Sequence, residues 1–200
     1  MNNTMVFFMR CLPRTSWLAL LMLALSMQLI LFAPDGRAAS EGIHIKSAEL
    51  KLMDEVYQLN AHLTITLGPT LEEAVRKGLA LNFITEFQLH RRRWYWFNEE
   101  IAKVTRNTRL TYNPLLRQYL LTEGSQQLSF DTLEDALEAL GEISAWTVLD
   151  RRLLYKRYSY VATLSMRMDV SQLPKPLQIN AISSRKWDLE SAPFEWSMSP

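Results

Sequence analysis

Tyr57-Gln58-Leu59-Asn60-Ala61-His62-Leu63-Thr64-Ile65-Thr66-Leu67 sets an apolar side chain at every odd position and a polar one at every even position. A period of two marks a strand with one face in a core and the other in water. The preceding run from Ile43 to Leu52 is expected to pair with it, turning at Met53, Asp54 and Glu55. Pro69 ends the strand. Thr70, with Glu73 three places later, predicts a capping box that opens a short helix whose apolar side is Leu71, Ala74 and Val75. Gly78 is placed to stop that helix. Leu79, Leu81, Phe83, Phe87 and Leu89 then resume the alternation.

The second half rhymes with the first. Strand-like residues around Thr111-Tyr112 and Tyr119-Leu120-Leu121 flank a turn at Asn113-Pro114 and lead to a helix start at Asp131 and Thr132. Leu133, Ala136, Leu137 and Leu140 line one face of this helix, and Gly141 follows. A later run alternates from Tyr158 through Tyr160, Ala162, Leu164 and Met166 to Met168. Tyr57 and Tyr119, Leu59 and Leu121, and Thr70 and Thr132 share an offset of 62 residues, at which "TLEEAV" recurs as "TLEDAL". Two readings stay open: a duplicated hairpin-helix-strand unit, or convergence of two helix starts on residues that suit a first turn. Short helices among many strands predict an α+β fold, mainly antiparallel β, as one sheet or a sandwich with two short helices packed on it.

The N-terminus reads differently. Arg10 and Arg14 precede an apolar stretch from Trp17 to Ala33, followed by Pro34, Asp35, Gly36, Arg37, Ala38 and Ala39. Basic, then apolar, then small residues is the order of a secretory signal. Seventeen residues at about 1.5 Å each fall short of the ~30 Å hydrocarbon core, which favours a cleaved signal, although a span of this length can also anchor a protein. Residues 1–39 are therefore expected to be a signal peptide or an N-terminal membrane anchor helix, and residues 40–200 a single exported domain in the periplasm. Membrane association, if retained, runs through residues 17–33.

Composition removes several function classes. Cys11, the only cysteine, lies before the apolar stretch, so the exported domain forms no disulfide. Beyond residue 39, nineteen basic residues face twenty acidic ones, a near-neutral balance unsuited to general nucleic-acid binding. His44, His62 and His90 have no second histidine or cysteine at ligand spacing, so no metal site is expected. Glu99 and Glu100 are adjacent, and Asn98-Glu99-Glu100 reads as a solvated turn instead of an acid/base pair. Asp131, Glu134, Asp135 and Glu138 suit the positive end of a helix. Serine nucleophile motifs and phosphate-cradling glycine loops are absent. The sequence thus predicts a non-enzymatic protein without a cofactor; an enzymatic reading survives only if His44, His62 or His90 meets a carboxylate in a cleft.

Two segments remain as a candidate interaction surface. Arg91-Arg92-Arg93-Trp94-Tyr95-Trp96-Phe97 sets three guanidinium groups beside four aromatic rings, a composition that binds anionic partners or, on a sheet edge, discourages aggregation. Arg151, Arg152, Lys156 and Arg157, with Tyr155 and Tyr158, form a second basic stretch open to the same two readings. Pro174-Lys175-Pro176 favours an extended, unpaired backbone, expected as a surface crossover or a strap over a sheet edge. Trp187 and Trp196 are expected to hold down the C-terminal tail.

The runs "SFDTLEDALEALGEISAW" at 129–146, "MRMDVSQLPKPLQ" at 166–178 and "WDLESAPFEW" at 187–196 carry a resemblance. Together they resemble a bacterial envelope family catalogued as domain of unknown function 4390 and labelled a proline-rich signal peptide protein. The resemblance implies a Gram-negative source, an envelope location and, as a partner class, a membrane sensor kinase; it assigns no catalytic residue. The function expected is a protein-interaction module of the envelope, with a periplasmic carrier or sensor of a small apolar ligand or lipid as the alternative.

Overall fold

Strands β1 (Gly42–Met53) and β2 (Val56–Thr66) form the expected hairpin in the computed structural model, which describes residues 41–92, 99–178 and 185–199. The N-terminal signal or anchor segment, with Arg10, Cys11 and Arg14, lies outside them. Met53 pairs with Val56 across Asp54 and Glu55, whose φ angles are +45° and +69°. Two positive φ angles make the tight turn whose twist matches the strands, at a steric cost because neither residue is glycine. Tyr57, Leu59, Ala61, Leu63 and Ile65 are all buried, as their spacing predicts.

Helix α1 (Pro69–Arg76) starts two residues earlier than the capping box predicts, with its cap at Gly68 and not Thr70. Pro69 has a fixed φ and no N–H to satisfy, so it takes the first helical position, and the cap falls on Gly68, which has no side chain to offer. Thr70 is left inside the first turn, while Glu73 pairs with Lys77 at 2.6 Å instead of reaching back. Gly78, at φ +89°, ends the helix: its N–H donates to the Val75 carbonyl, and that of Leu79 to the Ala74 carbonyl.

Strands β3 (Leu81–Arg91), β4 (Glu99–Asn113), β5 (Gln118–Glu123) and β6 (Gln126–Phe130) follow, then helix α2 (Leu133–Gly141) and strands β7 (Glu142–Asp150), β8 (Tyr160–Met168) and β9 (Phe194–Met198). All strand neighbours are antiparallel. One sheet has the order β1-β2-β7, the other β6-β5-β4-β3-β8-β9. Their apolar faces share one core, with Phe83, Phe87, Leu59 and Leu164 wholly excluded from solvent.

Several expectations change. Glu99 and Glu100 begin β4 and pair with Arg91 and His90, so they form no solvated turn. Most of β4 and all of β7 lack a legible period because Arg106 and Thr108 occupy inward positions of the first, and two register shifts interrupt the second. Residues 175–178 are helical, with the N–H groups of Leu177 and Gln178 donating to the Pro174 carbonyl. Proline is tolerated in a first helical turn, so Pro174-Lys175-Pro176 starts a helix and is not an extended strap. The 62-residue offset relates the two threonines but neither the helix starts, which fall at Pro69 and Leu133, nor equivalent units, because the second half turns at Gly124-Ser125 into β6 where β2 runs on unbroken. Trp187 is buried, and Trp196 packs on Phe87, 6.3 Å between ring centroids, as expected of the tail.

Gly141 is the last residue of α2, not the one after it. A Cβ there would lie 2.2 Å from the Leu63 carbonyl oxygen, so only glycine lets the helix end against β2.

The two helix starts should respond differently to the same change. At α2 the Thr132 hydroxyl accepts from the Asp135 N–H at 3.1 Å. Thr132→Ala is expected to lower unfolding free energy by about 1 kcal/mol. Thr70→Ala should leave it within about 0.5 kcal/mol. Urea unfolding of both variants checks this.

Candidate interaction surface

The strand directions bring three connections to one end of the domain. β1 and β2 turn there at Asp54-Glu55, β3 runs out at Arg91 and β4 begins at Glu99, and β7 ends at Asp150 opposite Val56. The segment from Arg151 to Ser159 crosses between the sheets and touches both. On the hairpin side, the Arg151 N–H donates to the Glu55 carbonyl at 3.0 Å, and its guanidinium pairs with the Glu55 carboxylate at 3.1 Å. On the other side, the Arg92 N–H donates to the Ser159 carbonyl at 3.1 Å. The buried Tyr160 hydroxyl accepts from the Tyr155 N–H, fixing the segment from below.

The two basic-aromatic stretches of the sequence thereby become one cluster. The guanidinium of Arg91 sits 4.5 Å from the Tyr158 ring centroid and that of Arg157 sits 4.7 Å from it. Arg91 also pairs with Glu99, and its side chain is only 18% exposed. It is a clamp between β3 and the crossing segment, with little surface to offer a partner. Arg92, Arg152, Lys156 and Arg157 are exposed, and their side-chain charges have no carboxylate partner among the described residues. Beside them stand Leu52, Met53, Leu153 and Tyr155, all large and exposed. Leu52, Met53 and Leu153 carried no local signal; only the fold reveals their position. Arg93, Trp94, Tyr95, Trp96 and Phe97 lie outside the described residues.

The other half of the predicted surface is elsewhere. Pro174, Lys175 and Pro176 are exposed but follow the far end of β8, where the Asp169 N–H donates to the Asn82 carbonyl at the start of β3. Nine strand residues, roughly 30 Å, separate them from Tyr160 and the arginine cluster. The two segments form no single surface.

An open groove of about 710 Å³ leads from Arg92 along the outer face of the larger sheet, past His90, Gln88, Thr163 and Glu195. Nearby, burial works to raise the Glu86 carboxyl, but hydrogen bonds from Lys103 and Gln88 and the charges of Lys103 and Arg167 outweigh it and hold the group below its ordinary value. Of the other histidines, His62 meets Glu142 at 2.9 Å; the two are cross-strand partners of β2 and β7, both exposed, beside a groove of about 420 Å³. Register accounts for that contact. Among the described residues no three His, Cys, Asp or Glu side chains come together to hold a metal, and no helix is long and apolar enough to cross a membrane.

Two outcomes follow from this geometry. Arg91→Ala, which removes the ion pair and the ring contact, is expected to destabilise by about 1 to 2 kcal/mol, and Arg92→Ala by less than about 0.5. Thermal unfolding separates them. Because the Glu86 value is depressed in the folded chain, its carboxylate contributes stability that is full above the unfolded value of 4.5 and is lost as pH falls through the folded one. Glu86→Gln should therefore flatten the acid side of the stability profile, measured by urea midpoints from pH 7 downward.

No curated protein and no solved structure matches the chain. A family model, Domain of unknown function (DUF4390), matches residues 40–197, nearly the whole of the chain beyond its apolar N-terminal segment, and the protein belongs to that family.

Proposed function

We propose that the chain is a non-enzymatic protein of the bacterial envelope whose β-rich domain binds a protein partner through the end where the three connections meet. The observation that carries this reading is the convergence there of four exposed apolar side chains with four cations that lack carboxylate partners among the described residues. Isolated exposed leucines are ordinary, but an apolar cluster rimmed by unpaired charge is the composition of an interface. The partner surface complementary to it is acidic, with a socket for Leu52 and Met53. The basic-apolar order of residues 10 to 39 supports export, and the domain then meets this partner in the periplasm.

Two competing occupants draw less support. A bilayer inserting the hairpin tip would have to take in Asp54, an exposed carboxylate at its extreme point with no partner among the described residues, at high desolvation cost. An apolar ligand carried between the sheets would have to displace Phe83 and Phe87, which already fill that space.

The test is a photo-reactive residue introduced at Met53 or, as control, at the equally accessible Leu116 on the opposite end. Irradiation of intact cells should give a discrete protein adduct from position 53 and none from 116, with Arg152→Glu and Arg157→Glu together reducing its yield about tenfold or more. The same adduct from both positions, or an adduct indifferent to charge reversal, would sink the assignment. A membrane sensor kinase is the first partner to look for in the adduct.

A further inference from the structure

Among the described residues the outer strands of the two sheets are not treated alike, and Ile43 of β1 is itself bridged by Ser191. β1 carries Lys46, Glu49 and Lys51 and a register shift between Ile45 and Ser47; β7 carries two shifts and Ala145 at φ +52°; β9 follows Pro193 and carries Glu195. Charges, bulges and proline are the devices by which sheets avoid pairing at their edges. β6, Gln126-Gln127-Leu128-Ser129-Phe130, has none of them. It has no charge, no proline and an unbroken register against β5, and its first four residues are exposed, Leu128 at 59%.

The turn before it fixes which backbone groups are open. Glu123 and Gln126 are joined by the two-residue turn Gly124-Ser125, with Gly124 at φ +56°, so they form a hydrogen-bonded pair. Bonded and non-bonded pairs alternate in an antiparallel ladder, so Gln126, Leu128 and Phe130 turn their amides toward β5. Gln127 and Ser129 turn theirs outward, and none of their backbone groups has a partner among the described residues.

We propose that β6 pairs with β6 of a second copy of this chain, antiparallel, about a two-fold axis through Leu128. That register sets Gln127 opposite Ser129 of the other copy twice over, giving four backbone hydrogen bonds from the outward groups. It makes Leu128 and its symmetry mate a non-bonded pair, with Cα atoms about 4.5 Å apart, so that each covers the other. Self-pairing also suits the lack of charge, since the axis sets Leu128 against its own symmetry mate and brings like residues at 127, and at 129, to diagonal neighbouring positions where a charge would approach its like. Asp131, the first charge beyond the strand, falls opposite Ser125. The two six-stranded sheets become one continuous sheet, while the basic and apolar loop end of each copy stays free. The pairing is independent of the proposed partner.

The experiment uses the full chain in mild detergent with Cys11→Ser, so that introduced cysteines are the only ones. Under mild oxidation, Leu128→Cys should give a disulfide-linked homodimer at least about tenfold faster than Leu116→Cys, because a non-bonded cross-strand pair lies within the Cα range a disulfide spans. Gln127→Cys mixed with Ser129→Cys should give the mixed dimer, with little of either homodimer. Ser129→Pro removes an N–H that faces away from β5, so the domain should keep its circular dichroism while light scattering shows a monomer. Leu128→Lys is the second variant, should proline perturb the strand, and should also yield a monomer. Equal rates for Leu128→Cys and Leu116→Cys, a dimer that survives both blocking variants, or disulfides from Leu128→Cys to other proteins would each overturn the proposal.

Discussion

The contact of Gly141 with the Leu63 carbonyl governs how the molecule is put together. It lets α2 finish against the middle of β2, so that the chain can turn directly into β7 and pair back along the first half of that strand, from His62 to Val56. The second half of β2 is covered by the helix instead, with Leu133 and Leu137 over the groove beside Ile65 and Leu67. A side chain at residue 141 would push α2 away and deny β7 its register. Everything at the loop end depends on that register, since β7 must end at Asp150, beside Val56, for Arg151 to reach Glu55.

The loop end is in turn shaped by electrostatics at a boundary. The crossing segment carries Arg151, Arg152, Lys156 and Arg157 into a space where the nearest acids are already engaged or few: Glu55 with Arg151, Glu99 with Arg91, the Asp150 carboxylate with the Arg152 N–H. Ring faces take up part of the excess charge, with Tyr158 meeting two guanidinium groups. The remainder faces water and is screened over about 8 Å in physiological salt. Such a cluster steers an acidic surface only at short range, which makes the adjoining Leu52, Met53, Leu153 and Tyr155 the natural source of residence time and the cations the source of selectivity.

How much of this could be read from the sequence depended on whether the deciding interactions were local. β2 was legible because five consecutive odd positions are apolar and all five enter the core. The stop at Gly78 and the cap at Thr132 were legible because both are made within a few residues. Thr70 misled because its neighbour Pro69 has a stronger claim on the helix start, and Pro174-Lys175-Pro176 misled because proline suits a first helical turn as well as an extended strap. β4 was hidden because Arg106 occupies an inward position, answered by Glu123 from the next strand. β7 was hidden because the Asn60 side-chain oxygen accepts the Ala145 N–H in a bulge that breaks the period. The loop end was half legible: its arginines stood out, but Arg91 is spent on the clamp to Tyr158. Two of the apolar members, Leu52 and Met53, come from a hairpin 96 residues away from the segment they join, as the Glu55 to Arg151 bond measures.

The same logic of protected and unprotected features runs through the whole domain. A sheet edge left without charge is a hazard unless something covers it, and an apolar side chain beside unpaired cations is a hazard of the same kind. β1, β7 and β9 show that this fold has the means to blunt an edge, through Lys46 and Lys51, through the bulge at Ala145, and through Pro193. Their absence from β6 is therefore a difference within one molecule, under one set of physical constraints. The loop end presents the parallel case, where Arg151 and Arg91 are matched by carboxylates while, among the described residues, the side chains of Arg92, Arg152, Lys156 and Arg157 are not. Both contrasts locate the unmatched groups on surfaces that do not overlap, one along the outer strand of the larger sheet and one at the end of the sandwich. A molecule with two such surfaces can join a copy of itself along one and hold a partner at the other without either contact excluding the other.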